Sequence, residues 1–203
     1  MRNLTKQMIE EALLKRLEKE PLSSITVVSL CEDCGINHNT FYYYYTDIFA
    51  VLQEYFEESL EKVQAEYETT MSWESAFRIA VRPAAEHKNA INHVYHSVQK
   101  DQLENYLFRV SMSVMDRFVD SIEPDVDAKP EDRRLIAKFF ACALTEIVLH
   151  WIADGMSIEE ADGMIARLGQ LLNGSIEEAL RRSAAGETFL PYTSGEDPSG
   201  KIK

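Results

Sequence analysis

Ile25-Thr26-Val27-Val28-Ser29-Leu30-Cys31-Glu32-Asp33-Cys34-Gly35-Ile36-Asn37-His38-Asn39-Thr40-Phe41-Tyr42-Tyr43-Tyr44-Tyr45 is the stretch that decides how the rest of the chain is read. Thr26 can act as an N-cap, and Val27, Leu30, Cys31 and Cys34 recur at spacings of three and four, which predicts a short helix. The β-branched run Thr26-Val27-Val28 would also suit a strand, but the spacing to Gly35 favours the helix. Gly35 permits the positive φ of a sharp turn, and Asn37 can cap a second helix. That helix, Asn37 to Tyr45, gathers Thr40, Phe41, Tyr44 and Tyr45 on one side and leaves His38, Asn39, Tyr42 and Tyr43 to point elsewhere. Two short helices about a glycine turn predict a helix-turn-helix, whose second helix enters the DNA major groove.

Working outward, Thr5 to Glu20 carries Met8, Ile9, Ala12, Leu13 and Leu17 as one apolar stripe and predicts a first helix, stopped by Pro21. Asp47 can cap a long connector through Tyr67. Further helices are predicted from Ser72 to Pro83, from His87 to Val98 and from Asp101 to Ile122, with an interior loop at residues 123–129. Pro130 then opens a helix to Asp154 that is apolar on almost every side, so that two of its faces need covering. Gly155 ends it. Ser157 with Glu160 forms a capping box for a last long helix whose stripe runs Ile158, Ala161, Ile165, Leu168, Leu172, Ile176, Leu180. With few breakers and no hairpin signal, the expected fold class is all-α: an N-terminal three-helix unit (1–47), a larger helical unit (48–183) and a disordered Gly/Ser/Pro-containing tail (184–203).

The run Cys34-Gly35-Ile36-Asn37, then Thr40-Phe41-Tyr42-Tyr43-Tyr44-Tyr45, then Asp47 and Leu52, resembles the N-terminal signature of the tetracycline-repressor (TetR) family of bacterial transcription regulators. The resemblance covers the first quarter of the chain. It implies a homodimer that binds a double-stranded DNA operator, with a small-molecule effector held among the middle helices and the last two long helices building the dimer. Ile48 stands where many family members have a lysine; a subgroup similar to the regulators of dihydroxyacetone kinase genes carries an apolar residue there.

Asn37, His38 and Asn39 are expected to reach base edges, Thr40, Tyr42 and Tyr43 to reach phosphates through hydroxyls, and the amides opening the helix at Thr26 to hold another phosphate. The competing reading makes the tyrosine run packing and solvent-facing rings. The family-implied pocket is assigned, by helix face alone, to Trp73, Phe77, Tyr95, Tyr106, Met112, Phe139 and His150. The dimer interface is assigned to Phe140, Leu144, Trp151, Ile165, Leu168, Leu172 and Ile176.

Composition limits these readings. The chain has 203 residues, 45% apolar and 27% charged, ordinary for one or two packed units. A net charge of −13 argues against coating nucleic acid or anionic membranes by bulk electrostatics, and residues 1–48 hold five Lys or Arg against seven Asp or Glu. This motivates an alternative: an acidic helical dimer that binds a small molecule or protein partner without DNA recognition. No export signal is visible, Lys138, Glu146 and His150 interrupt the longest apolar stretch, and three cysteines suit a reducing cytoplasm. Cys31-x-x-Cys34, His93/His96 and Glu146/His150 each fall short of a metal set, so no metal or cofactor is expected. No nucleophile motif or phosphate-cradling glycine loop is present, so an enzyme is not expected.

Overall fold

A computed structural model describes residues 4–70, 73–122, 126–172 and 174–186; of residues 66, 69, 70, 76, 80 and 83 it describes the backbone only. Ten α-helices and one 3-10 turn occur among these residues, with no strand. They are α1 (Leu4–Leu17), α2 (Val27–Cys34), α3 (His38–Tyr44), α4 (Ile48–Thr70), α5 (Trp73–Glu86), α6 (Lys88–Tyr95), α7 (Lys100–Ser121), α8 (Pro130–Ala153), α9 (Ile158–Leu172) and α10 (Ser175–Ala185).

The first four helices start and stop where local chemistry directs. Thr26 and Ser29 form a reciprocal capping box at α2, with the Ser29 N–H donating to Thr26 Oγ1 at 3.1 Å and the Thr26 N–H to Ser29 Oγ at 3.2 Å. Gly35 closes α2 in the left-handed region, φ 62°. Asn37 Oδ1 accepts the Thr40 N–H at 2.9 Å, and Asp47 Oδ1 accepts the Ala50 N–H at 2.8 Å, so α3 and α4 are each opened by a short polar cap. Ile9, Leu13, Leu17, Leu30 and Phe41 fill the space between α1, α2 and α3 and are fully buried.

That core continues without a break into the larger set of helices. α7 lies along both α4 and α8. Arg109 pairs with Glu57, Arg117 pairs with Glu68 at 2.5 Å, and Gln64 donates to Ser113 at 2.8 Å along the α4–α7 seam. Such exposed pairs add little stability each; they fix how the two helices are aligned. The Arg133 guanidinium closes the α7–α8 connection by donating to the Val119 and Val126 carbonyls at 3.1 and 2.8 Å.

Four sequence expectations change. The last long helix is two, because Gly174 takes φ 79° and starts α10 on a new axis; the stripe from Ile158 to Leu180 is therefore not one continuous face. α5 continues through Pro83 to Glu86. α10 runs to Ala185, past the expected boundary at 183, while the expected disorder of residues 187–203 lies outside the described residues. α8 is long and apolar enough to cross a membrane by length and composition. In this fold Ala137, Ala141, Leu144, Val148 and Ile152 of α8 are buried, while Leu135, Phe139, Cys142, Ala143, Glu146 and His150 form an uncovered row at spacings of three and four. Only one broad face of α8 is covered within the chain.

Candidate DNA-reading helix and effector cavity

The polar edge of α3 faces outward. Phe41 and Tyr45 are buried, whereas Asn37, His38, Asn39, Tyr42 and Tyr43 are exposed, Tyr42 at 57% and Tyr43 at 80%. The rings are held edge to face, Tyr42 on Phe41 at 5.5 Å and Tyr43 on Tyr44 at 4.9 Å between centroids, so each phenol points away from a supported ring. Two of the expected contact positions also form helix caps. Asn37 Oδ1 accepts from both the Thr40 N–H and the Thr40 hydroxyl, at 2.9 and 3.2 Å, and Thr26 Oγ1 is taken by the α2 cap. These residues set where the helices begin. His38, Asn39, Tyr42 and Tyr43 are presented to solvent.

Local charge is sparse. α3 contains no Lys, Arg, Asp or Glu. Arg16 donates to Asp33 at 2.6 and 3.1 Å and to Glu20 at 2.8 Å, and Lys6 donates to both Glu54 oxygens at 2.6 and 2.9 Å. The Arg16 hydrogen bonds hold the Asp33 carboxyl below its usual range. Cys31 and Cys34 are buried in this unit, and burial pushes both thiols up.

α1 and the helices from α4 to α8 line a cavity of about 290 Å³. α4 contributes Leu52, Tyr55, Phe56, Ser59, Lys62 and Val63 to its wall, and α6 contributes Ala90, Ile91 and Val94. α7 contributes Leu103, Tyr106, Val110, Ser111 and Val114, and α8 closes it with Leu144, Val148 and Ile152. Leu14 and Leu17 of α1 reach the same wall, so the N-terminal helix forms part of the enclosure. α6 holds the end of that helix: the His93 Nδ1–H donates to the Leu17 carbonyl at 2.6 Å, the Asn89 amide to the Glu18 carbonyl at 3.3 Å, and His87 Nδ1 meets Glu18 Oε1 at 3.0 Å.

Residues 71–174, half of the chain, match a family model described as the transcriptional regulator C-terminal region of TetR-type proteins. The chain belongs to the TetR family of transcriptional regulators. Among solved structures, the dihydroxyacetone kinase operon activator DhaS is 19% identical, covers 86% of this chain and 97% of its own, and superposes with a TM-score of 0.71. The fatty acid degradation regulator FadR from Bacillus halodurans is 14% identical, covers 92% and 97%, and gives 0.56. Both share the all-helical fold. No curated protein matches in sequence. The matched family and both structures are regulators by name, not enzymes.

Of the pocket residues expected in this TetR-family chain, Trp73, Phe77 and Tyr106 line the cavity. Tyr95, Met112, Phe139 and His150 are placed elsewhere. Phe139 is 68% exposed on the open row of α8, and His150, on the same row, pairs with Glu146 at 3.4 Å. Tyr95 stacks edge to face on His96, with 5.1 Å between centroids. A helix that is apolar all round gives sequence reasoning no way to tell inner from outer face, and Phe139 and His150 fell on the wrong one. Leu14, Leu17, Tyr55 and Ser59 were missed because they lie on helices assigned to DNA binding and to the connector.

The expected dimer residues divide likewise. Trp151, Ile165 and Ile176 are buried within the single chain, Trp151 donating its indole N–H to the Ser157 carbonyl at 2.7 Å, so they are core. Leu144 is buried between the cavity and a second space of about 390 Å³ that Phe139, Phe140, Leu168, Leu172 and Ile176 also line. On α8 and α9 the large apolar side chains left open among the described residues are Leu135, Phe139, Ile158, Leu171 and Leu172.

Proposed function

We propose that the chain is a homodimeric, ligand-responsive regulator that reads operator DNA through residues 1–47 and holds effector and partner through residues 48–183. The observation that carries this reading is the shared wall of the cavity: Leu14 and Leu17 of α1 face the same enclosed space as α4, α6, α7 and α8. A molecule filling that space pushes on α6, which grips the end of α1, and on α4, which begins at the Asp47 cap directly behind the reading helix. Its effect on DNA equals its difference in affinity between the arrangement that fits two half-sites and the one that does not. In a two-fold dimer those half-sites are centred about 34–36 Å apart or a multiple of it.

His38 and Asn39 supply the base-edge donors and acceptors in this reading, and Tyr42 and Tyr43 the phosphate contacts, with Asn37, Thr40 and Thr26 fixing the helix starts. The partner subunit covers Leu135 and Phe139, with Leu171 and Leu172 beside them, because an apolar row of that extent is a liability in water. Phe139→Glu is expected to yield a monomer by sedimentation; Cys142, exposed on the same row, gives a native handle for bismaleimide cross-linking.

Gel shifts with the promoter region of the protein's own gene neighbourhood, at low and raised salt, test DNA binding. No sequence-selective shift from an intact dimer rejects it. One observation favours the second reading, an acidic helical dimer without DNA recognition: α3 has no cation, and Lys6 and Arg16 are tied into ion pairs. On that reading Tyr42→Phe and Asn39→Ala change nothing.

A further inference from the structure

The cavity wall is mostly apolar; apart from Ser111 and the exposed Lys62 and His87, its polar side chains include one cluster of hydroxyls. Tyr55 and Ser59 sit one turn apart on α4, and Tyr106 faces them from α7 with its ring stacked on Phe56 at 4.7 Å and 12°. Ser59 acts on both phenols and the Glu10 carboxylate on Tyr55 as well, and burial raises both above the usual tyrosine value, so both remain protonated donors at neutral pH. No Asp or Glu lines the cavity among the described residues. Its two basic side chains, Lys62 and His87, are exposed, and His87 is engaged with Glu18. A charged group moved inside loses its hydration and meets no buried counter-ion, which costs several kcal/mol in general. A hydroxyl or carbonyl can exchange hydrogen bonds with the Tyr55, Ser59 and Tyr106 hydroxyls, which already interact through Ser59.

We infer that the effector is an uncharged, mostly apolar molecule with a single hydroxyl or carbonyl, anchored by the Tyr55–Ser59–Tyr106 hydroxyls. At about 290 Å³ the space lies at the small end of ligand pockets, which selects a compact molecule of roughly one substituted ring. This assignment rests on the cavity being the effector site, and the experiment separates the two.

Calorimetric titration of the full chain with three probes of one shape, toluene, para-cresol and para-toluate, reads the anchor directly. Para-cresol is expected to bind at least tenfold more tightly than para-toluate. Tyr106→Phe keeps the ring on Phe56 and removes only the hydroxyl; it is expected to weaken para-cresol about three- to tenfold and leave toluene within twofold. Para-toluate binding more tightly than para-cresol, with the gain lost in Lys62→Gln, overturns the neutral-ligand assignment and leaves the cavity as effector site. Equal loss of toluene and para-cresol in Tyr106→Phe, or no loss of either, overturns the anchor. Failure of all three probes on a chain that still shifts its promoter DNA overturns the effector reading, and this inference with it.

Discussion

The interior around α1, α2 and α3 and the interior around α4 to α8 are both apolar, yet they are filled differently. Ile9, Leu13, Leu30 and Phe41 are exposed by 2% or less around a glycine turn, whereas the larger set of helices surrounds a space of about 290 Å³. A close-packed unit responds to force as a body, because its side chains have no second arrangement of similar energy. A unit with an internal space can be repacked by whatever occupies it. On the proposed reading, the contrast makes α4–α8 the part that an effector repacks and α1–α3, joined to them at the Leu14 and Leu17 wall, the part that follows.

The largest test of this contrast is a pair of volume changes. Phe41→Ala in the filled unit should cost about 3–5 kcal/mol by urea denaturation, the range for a buried aromatic cut to alanine. Ala84→Leu, which adds volume at the cavity wall, should stay within about 1.5 kcal/mol and abolish para-cresol binding. Equal costs would erase the distinction. Next in size, Asn39→Ala should weaken operator binding by about 1–3 kcal/mol in gel shifts, with the urea midpoint unchanged. Gly35→Ala should then cost about 1–2 kcal/mol through the left-handed backbone alone, since no atom lies within 4 Å of an added Cβ; a larger loss would mean that the turn is packed more tightly than its surroundings show.

The smallest effect is electrostatic. The folded Asp33 carboxyl titrates below its usual value because Arg16 hydrogen-bonds it. Its contribution is therefore complete above the ordinary carboxylate pKa and is lost as pH falls through the depressed one. Arg16→Ala should lower the urea midpoint slightly at pH 7 and not at pH 2. A difference that persists in acid would show that Arg16 acts through its Ser29 carbonyl contact instead.

The same contrast explains what the amino-acid sequence revealed. Around Gly35 each local signal agreed with the next: Thr26 and Asn37 at caps, Phe41 and Tyr45 inward, Tyr42 and Tyr43 outward, Asp47 opening α4. In the larger unit signals conflicted. The regular stripe from Ile158 to Leu180 concealed the break at Gly174, where a positive φ outweighs periodicity. α8 offered apolar residues at every angle, so Trp151 looked like an interface and Phe139 like a pocket, whereas tertiary packing buries the first and leaves the second open. The polar corner of the cavity was illegible for another reason. Ser59 and Tyr106 are 47 positions apart in sequence, and only the alignment of α4 with α7 brings them together.

On the proposed reading α3 is a recognition helix with no lysine or arginine, and that has a thermodynamic signature. Such a helix adds no counterion release of its own, so affinity for the operator should fall between 50 and 200 mM salt by less than the ~10³–10⁵-fold typical of six to ten phosphate contacts. Attraction to bulk chromosomal DNA weakens for the same reason. Occupancy of the promoter would then follow effector concentration closely while remaining indifferent to osmotic swings in intracellular potassium.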